Sequence, residues 1–212
     1  DFYLPEYRPV GKDNKIIKFK ATSHLLANEV IEESMILANI CAAKFTKKLK
    51  RPIPFRHHDN PDFNELEKLK EFLKARGLRK SMSESNPRKK LNDWLMEINQ
   101  KKKSFSLIYQ ILRSMKLAVY SGKESNHFAL GLDEYCHFTS PIRRYSDLVT
   151  HRVIKSVIEK KGGHYSQDEI DAIAAVCSEK DREAEKIVRE SSKYLSCKCA
   201  EQHNGKEYNG EI

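Results

Sequence analysis

Apolar residues recur at helical spacing over a long segment near the N-terminus of this 212-residue chain. Between Leu25 and Leu49 they fall three or four positions apart, which is the spacing that places side chains on one face of an α-helix. Pro52 and Pro54 then stop the pattern, because proline lacks the N–H that a helix interior needs and its ring clashes with the preceding turn. We therefore expect a long helix here and a helix-rich fold.

Several later segments continue this helical character. Asn60–Pro61 and Asn86–Pro87 each combine a capping residue with a proline at the first helical position, and Ser166 with Glu169 forms a capping box. The sequence therefore predicts five further helices. Four cover residues 60–77, 86–98, 105–115 and 141–161, and the fifth begins at 166 and ends before the apolar pattern breaks at Gly205.

Only short strands are expected beside these helices. Alternating or brief apolar runs predict extended segments at 15–20, 53–57 and 127–132. In the last of these, Ala129 and Gly131 put small residues on one face, which would let a neighbouring group approach closely. The polar stretch 79–88 is interpreted as a loop and Lys101–Lys103 as a solvated turn. The fold class that follows is α/β but α-rich.

Charge and cysteine content narrow the class of protein. The 39 Lys and Arg residues exceed the 30 Asp and Glu residues, which gives a formal charge of +9 and a positive surface that would attract polyanions. Five cysteines at irregular positions do not form a secreted disulfide framework, so a reducing cytoplasmic location is expected. No signal peptide or run long enough to span a bilayer is visible. The chain is interpreted as a soluble piece of a longer protein.

The most informative local feature is the segment that contains Ser140, Pro141, Arg143 and Arg144. Ser140 is a good helix cap and Pro141 suits a first helical position, so the two arginines are predicted in the first turn of a helix. A cation is disfavoured at that positive end of the helix dipole, whereas an anion is stabilised there. Phosphate would satisfy the free N–H groups and the paired guanidinium donors together. The alternative is an ordinary ion pair between one of the arginines and Asp147 on the same helix.

Four segments of the chain carry a resemblance to one protein family. They are Ile31–Ala43, Asn126–Leu132, Tyr135–Arg152 and Asp181–Glu185. In their residues and in their order along the chain, they resemble the ribonuclease II and ribonuclease R family, the RNB-domain exoribonucleases. Several ordered matches across most of the chain are far more specific than one short pattern.

The resemblance implies an architecture. Residues 1–204 look like the C-terminal part of an RNB catalytic domain, its helical flank and a few strands, with the main sheet largely upstream. Residues 205–212 would begin a following OB-fold RNA-binding domain. The resemblance implies that the longer protein containing this chain is a processive 3′ to 5′ exoribonuclease. It would hydrolyse single-stranded RNA to nucleoside 5′-monophosphates. Whether it belongs to the ribonuclease II or the ribonuclease R branch stays open, as does its oligomeric state.

The resemblance also implies roles for individual residues. Arg143 matches a family arginine that contacts a phosphate and stabilises transition-state charge, and Glu185 matches a glutamate near the active site. Glu32 matches one associated with the terminal nucleotide, where a carboxylate can bind ribose hydroxyls. Further RNA contacts are expected within the signature motif, from Thr139, Ser140, Arg144 and Tyr145. Tyr145 has the alternative of packing in the core.

No metal site is expected within the chain itself. Two-Mg²⁺ hydrolysis needs clustered carboxylates, and the family carries its metal-binding aspartates upstream of the matched region. Cys197, Cys199 and His203 lack the second Cys-x-x-Cys pair that would complete a zinc site. The fragment alone is therefore expected to be inactive. A non-catalytic RNA-binding protein on a degenerate RNB fold is the alternative function.

Overall fold

The structure is a computed structural model, and it describes residues 7–12, 15–22, 25–78, 86–100, 105–161 and 165–207. Helices provide most of its regular structure. In chain order the elements are strands β1 (Tyr7–Lys12) and β2 (Lys15–Ala21), helix α1 (Leu26–Lys48), strand β3 (Phe55–His57), helices α2 (Phe63–Ala75), α3 (Pro87–Gln100) and α4 (Phe105–Arg113), strand β4 (Val119–Ser121), and helices α5 (Tyr145–Ile158) and α6 (Gln167–Ala200). The helix-rich fold class is thus confirmed.

The chain divides into two compact units, one made of 1–31 with 179–212 and the other of 32–178. In the first unit β1 and β2 form an antiparallel hairpin, with a register shift between Val10 and Gly11. The sequence predicted β2 but not β1. Pro9 and Gly11 obscure the strand pattern there, although proline is tolerated on an edge strand and glycine at a bulge.

The core of the second unit forms where α1, β3 and α5 meet. Its buried residues are Ala42, Ala43, Ile53, Phe55, Cys136 and Val153. Ala42 and Ala43 are small, so the end of α1 lies close to its neighbours, and β3 pairs with β4 in an antiparallel register that sets Arg56 opposite Tyr120. The sequence did not predict β4, which is only three residues long.

Helices α2, α3 and α4 bury one apolar face each, as their spacing predicted. Leu66, Leu73, Trp94, Ile98 and Ile111 are all buried. The predicted cap of α3 is confirmed, since the Asn86 Oδ1 accepts the backbone N–H groups of Arg88 and Lys89 at 3.1 and 3.3 Å. The predicted cap of α2 is wrong, because α2 begins after Asp62 and not at Asn60.

The strand predicted at 127–132 is wrong, because these residues form a turn. The Gly131 N–H donates to the His127 carbonyl at 2.8 Å, and His127 forms an isolated bridge with Leu132. Gly131 has a φ of 66°, a conformation that suits glycine. The group that approaches this glycine is the Arg88 guanidinium, which donates to the Leu130 carbonyl at 3.0 Å.

At the start of α6 the predicted capping box is confirmed. The Ser166 N–H donates to the Glu169 carboxylate at 2.7 Å, and the Glu169 N–H donates to the Ser166 hydroxyl at 3.3 Å. Among the described helices none is long and apolar enough to cross a membrane. Predictions for the loop at 79–85, Lys101–Lys103, the helix end at Gly162–Gly163 and a strand within 208–212 lie outside the described residues.

Candidate functional site

The two arginines of the signature segment lie just before α5 and not inside its first turn. The backbone carbonyl of Ser140 accepts the N–H groups of Arg143 and Arg144 at 3.3 and 3.1 Å, which closes a turn ahead of the helix. Arg144 occupies the cap position in an extended conformation, with φ −123° and ψ 118°. The prediction that Ser140 caps a helix beginning at Pro141 is therefore wrong by four residues.

Asp147 holds the turn that precedes the helix, and the cap residue Arg144 makes no side-chain capping bond. This carboxylate lies in the first turn of α5 and is 0% exposed. One oxygen accepts the Ser140 N–H and the Arg144 guanidinium, both at 2.8 Å, and the other accepts the Ser146 hydroxyl at 3.2 Å. A negative charge is favoured at a helix N-terminus. Asp147 thus fixes both ends of the turn from 140 to 144.

Arg144 is an internal part of this turn. Its side chain is 20% exposed and pairs with Asp147, so the ion pair raised as an alternative for one of the two arginines is confirmed for Arg144. The Nε atom of Arg144 is buried and has no hydrogen-bond partner among the residues described. One nitrogen of this guanidinium is therefore bonded to the protein, and the side chain is largely buried.

Arg143 has the opposite environment. It is exposed, and within the described ranges its guanidinium has no hydrogen bond or ion pair. Its neighbours Ile142 and Tyr145 are 102% and 51% exposed, so Tyr145 does not pack in the core of this chain. Thr139 and Ser140 are half-buried in the same segment. The turn presents one unpartnered cation beside an exposed aromatic ring, which suits an anionic ligand that also has flat groups to stack.

Side chains of α1 and α5 contact the segment that leads into the turn and fix its position. Asn39 on α1 is 3% exposed; its Nδ2 donates to the Tyr135 hydroxyl at 2.9 Å, and its Oδ1 accepts the Phe138 N–H at 2.8 Å. The ring of His151 stacks on Phe138 at 4.0 Å, and its Nε2 bonds the Phe138 carbonyl at 2.8 Å. Sequence reasoning missed Asn39, although a polar residue on the buried side of an apolar helix was a usable signal.

A cluster of aromatic and histidine rings supports this segment. The Tyr120 hydroxyl bonds His137 Nδ1 at 2.8 Å, and the Tyr135 ring meets His127 and His137 edge-on. Burial raises the pKa of Tyr135, so its hydroxyl stays protonated. Burial also lowers the pKa of His127 to about 4, which keeps that ring neutral. These groups have structural contacts and are not arranged as a nucleophile with its base.

The two predicted carboxylates lie in different units. Glu32 is exposed on α1 in the unit that contains Arg143, whereas Glu185 is exposed on α6 in the unit formed by 1–31 and 179–212. The second unit therefore brings together Thr139, Ser140, Arg143, Arg144 and Tyr145, whereas Glu185 belongs to the other unit. In the part of the chain that the structure describes, no three His, Cys, Asp or Glu side chains form a group able to hold a metal ion.

Comparison with known proteins gives a consistent result. A family described as the RNB domain matches residues 1–160. Ribonuclease R of Vibrio parahaemolyticus is 38% identical over 199 residues, a match that covers 88% of this chain and 24% of that protein. The chain thus spans about a quarter of the length of the curated relatives it matches.

Solved structures show the same fold. Mycoplasma genitalium RNase R in complex with double-stranded RNA superposes with a TM-score of 0.85 at 25% identity, covering 97% of this chain and 38% of that one. Its complex with ribose-methylated single-stranded RNA gives a TM-score of 0.82, covering 97% and 33%. Yeast Ssd1, described as a pseudonuclease, gives a TM-score of 0.61 at 25% identity, covering 73% and 20%.

Proposed function

This chain belongs to the RNB family, and from that premise we propose that it is the C-terminal part of the catalytic domain of a processive 3′ to 5′ exoribonuclease. The substrate is single-stranded RNA and the products are nucleoside 5′-monophosphates. The observation that carries the proposal is the exposed Arg143, which has no internal partner among the described residues and lies on a turn fixed by the buried Asp147. The relatives with this fold include ribonuclease R bound to RNA.

In this proposal Arg143 binds the phosphate that is cleaved. Its planar guanidinium offers paired donors that match two phosphate oxygens. As water attacks, negative charge grows on those oxygens, and a cation already in place stabilises it without reorganising. The bonds from Asp147 to Ser140 and Arg144 supply that fixed geometry, both at 2.8 Å. Arg144 therefore acts on RNA mainly through the turn.

The remaining candidate residues are assigned to the RNA near that phosphate. Thr139 and Ser140 offer hydroxyl groups to the backbone, and the half-exposed Tyr145 ring offers a face for stacking. Glu32 accepts bonds from ribose hydroxyls and thereby favours RNA over DNA. Glu185 is assigned a catalytic role by the family resemblance alone.

Mg²⁺ is the proposed cofactor, and residues outside this chain are proposed to hold it. The described residues do not fit such a site, since they form no cluster of carboxylates. When bound, the metal would activate water and stabilise charge on the phosphate. The contribution of this chain is to grip and orient the RNA end.

The proposed partners include the N-terminal half of the RNB domain and flanking OB-fold domains. Large apolar side chains support further packing partners, since Leu26 is 75%, Leu37 62% and Val188 65% exposed. Apolar surface on this scale is usually covered by another protein surface. A cytoplasmic location is proposed, and the five free thiols support it.

A second function is a non-catalytic RNA-binding protein on the same fold. The specific observation that favours it is the likeness to yeast Ssd1, described as a pseudonuclease. The two functions predict different residues upstream of Asp1. Closely spaced aspartates there support hydrolysis, and their absence would leave only salt-dependent RNA binding.

The experiment compares Arg143→Ala with the unmodified full-length protein on 5′-labelled single-stranded RNA, with and without EDTA. We expect EDTA to stop degradation, and Arg143→Ala to lower kcat about 100-fold or more while RNA binding weakens only a few-fold. Lys155→Ala is the matched control, because Lys155 is an exposed cation on α5 beyond the turn. Equal activity of Arg143→Ala and the unmodified protein would overturn the assigned role. The 212-residue chain by itself is expected to hydrolyse no RNA.

A further inference from the structure

Asn39 joins α1 to the segment that carries the phosphate-binding turn. Its side-chain amide uses both ends, as a donor to the Tyr135 hydroxyl at 2.9 Å and as an acceptor from the Phe138 N–H at 2.8 Å. The Cys136 thiol donates to the Asn39 carbonyl at 3.4 Å. One buried residue of α1 therefore contacts residues 135, 136 and 138, just ahead of the turn.

The backbone is fixed at two points on the way to Arg143. At Phe138, Asn39 binds the N–H and His151 binds the carbonyl, each at 2.8 Å. At Ser140, the Asp147 carboxylate binds the N–H at 2.8 Å. His151 and Asp147 both belong to α5, so among these three side chains only Asn39 ties the segment to α1.

Glu32 lies on the same helix as Asn39. Seven residues separate them, which is two helical turns, so they share a face of α1 and lie about 10 Å apart along its axis. The contact from Asn39 to Phe138 therefore fixes the distance between the turn and Glu32, measured along the axis of α1. An RNA end bound by both Glu32 and Arg143 would need that spacing to be constant.

We infer that Asn39 is a positioning residue that holds the phosphate-binding turn in register with α1, and with it Arg143 relative to Glu32. This inference rests on the proposed function of Arg143. It goes beyond that function because Asn39 is buried, bonds other parts of the protein, and would act on the reaction only through the segment that it holds. Small displacements of a positioned group can lower a rate by about 100-fold, so the effect should appear in kcat.

A buried asparagine could instead serve stability alone, and the variants separate the two roles. Asn39→Leu keeps the side-chain shape but removes both bonds. Thr46→Val is the matched control, since Thr46 is also buried on α1 and its hydroxyl bonds only carbonyls of its own helix, those of Ala42 and Ala43, in the described contacts. Both variants are assayed in the full-length protein, at temperatures well below each variant's Tm.

We expect Asn39→Leu to lower kcat by about ten- to a hundred-fold with KM changed less than about threefold. Thr46→Val should keep the kcat of the unmodified protein even where its Tm falls. Tyr135→Phe, which removes one hydroxyl and keeps the ring, is the milder second variant if Asn39→Leu does not fold. Its kcat should fall in the same direction, by about threefold or more.

A double-mutant cycle with Arg143→Ala decides whether Asn39 acts through the turn. If it does, adding Asn39→Leu (or Tyr135→Phe) to Arg143→Ala lowers kcat less than twofold further. Independent effects that multiply would overturn the inference while leaving the proposed function in place. An Arg143→Ala variant with normal kcat would overturn both. An Asn39→Leu enzyme with normal kcat would overturn the inference alone.

Discussion

The buried carboxylate of Asp147 accepts a hydrogen bond from the guanidinium of Arg144 at 2.8 Å, three residues earlier in the chain. This pair divides two adjacent arginines into different roles. Arg144 neutralises a charge that has no access to water, whereas Arg143 has no partner among the described residues. Stability and ligand binding should therefore respond to different substitutions within one short turn.

Arg144→Ala should destabilise the fold by about 3 kcal/mol, because it leaves the Asp147 charge buried without its partner. Arg143→Ala should change the free energy of unfolding by less than about 0.5 kcal/mol, as expected for an exposed side chain without contacts. Urea unfolding at pH 7 measures both. In the double variant Arg144→Ala with Asp147→Asn, part of the lost stability should return, because no buried charge remains. Equal losses from the two single arginine variants would contradict this division of roles.

Gly131→Ala should lower stability by about 1 to 2 kcal/mol, since φ at this position is 66° and an L side chain is strained there. A Cβ would also overlap the Arg88 guanidinium, which must move and give up its bond to the Leu130 carbonyl. Thermal unfolding is the measurement.

Gly205→Ala is the matched control for this substitution. Its φ is 82°, but a Cβ there meets nothing within 4 Å. We expect its Tm to fall less than that of Gly131→Ala. In an Arg88→Ala background, Gly131→Ala should retain only the cost of the backbone strain, and an undiminished effect there would count against the proposed contact.

Acid should destabilise the protein through His127. Burial lowers the pKa of His127 to about 4, whereas an unfolded histidine titrates near 6.5. Above pH 6.5 the ring is neutral in both states. As pH falls from about 6.5 to 4 the unfolded state binds the proton first, so stability falls across this window and the loss is complete below it.

The loss should be about 1 to 2 kcal/mol, because partial exposure of the ring to solvent reduces the full effect of its shifted pKa. The His127 ring stacks on His58, with centroids 5.2 Å apart, and meets Tyr135 edge-on. His127→Phe keeps a ring in this place, and it should flatten the dependence of Tm on pH between 6.5 and 4. Phe128→Leu is the control: its ring lies 6.0 Å from that of His58, so the substitution disturbs the same cluster without removing a titrating group. Phe128→Leu should lower Tm but keep the slope of Tm against pH that the unmodified protein has. If His127→Phe had that same slope, the assignment of the acid effect to His127 would be refuted.

Cys136 should resist alkylation in the native state. It is 0% exposed, and burial raises the pKa of its thiol to about 12, so almost no thiolate forms at pH 8. Cys41 is exposed on α1 and provides the internal comparison. Iodoacetamide labelling followed by mass spectrometry should modify Cys41 at least about 100-fold faster than Cys136. Urea should equalise the two rates, and rapid native labelling of Cys136 would contradict its burial.

The sequence predicted what is local in this fold. Periodic apolar residues located α1, and the capping box of Ser166 and Glu169 located the start of α6, because both signals act within a few residues. Arg143 was singled out by the family resemblance, because local electrostatics did not distinguish it from Arg144. In contrast, the start of α5 was misplaced. Ser140 and Pro141 favour an earlier beginning, but residues 140–144 form a turn that the buried Asp147 holds from within α5.

What the sequence did not predict depends on partners far apart in the chain. Asn39 bonds Phe138 across 99 positions, and no local pattern specifies that pairing. Strand β4 is three residues long and exists because β3 lies beside it. The turn at Gly131 looked like a strand because alternating apolar residues imitate the period of one.

Because Arg143 projects from the turn without supporting it, folding places no requirement on this position. A lineage could replace the arginine and still produce a stable, abundant protein, since proteins are eliminated mainly when stability falls below a threshold. Loss of catalysis in such a lineage would leave no trace in expression level or melting temperature. If the arginine is retained at this position, selection has acted on anion binding and not on stability.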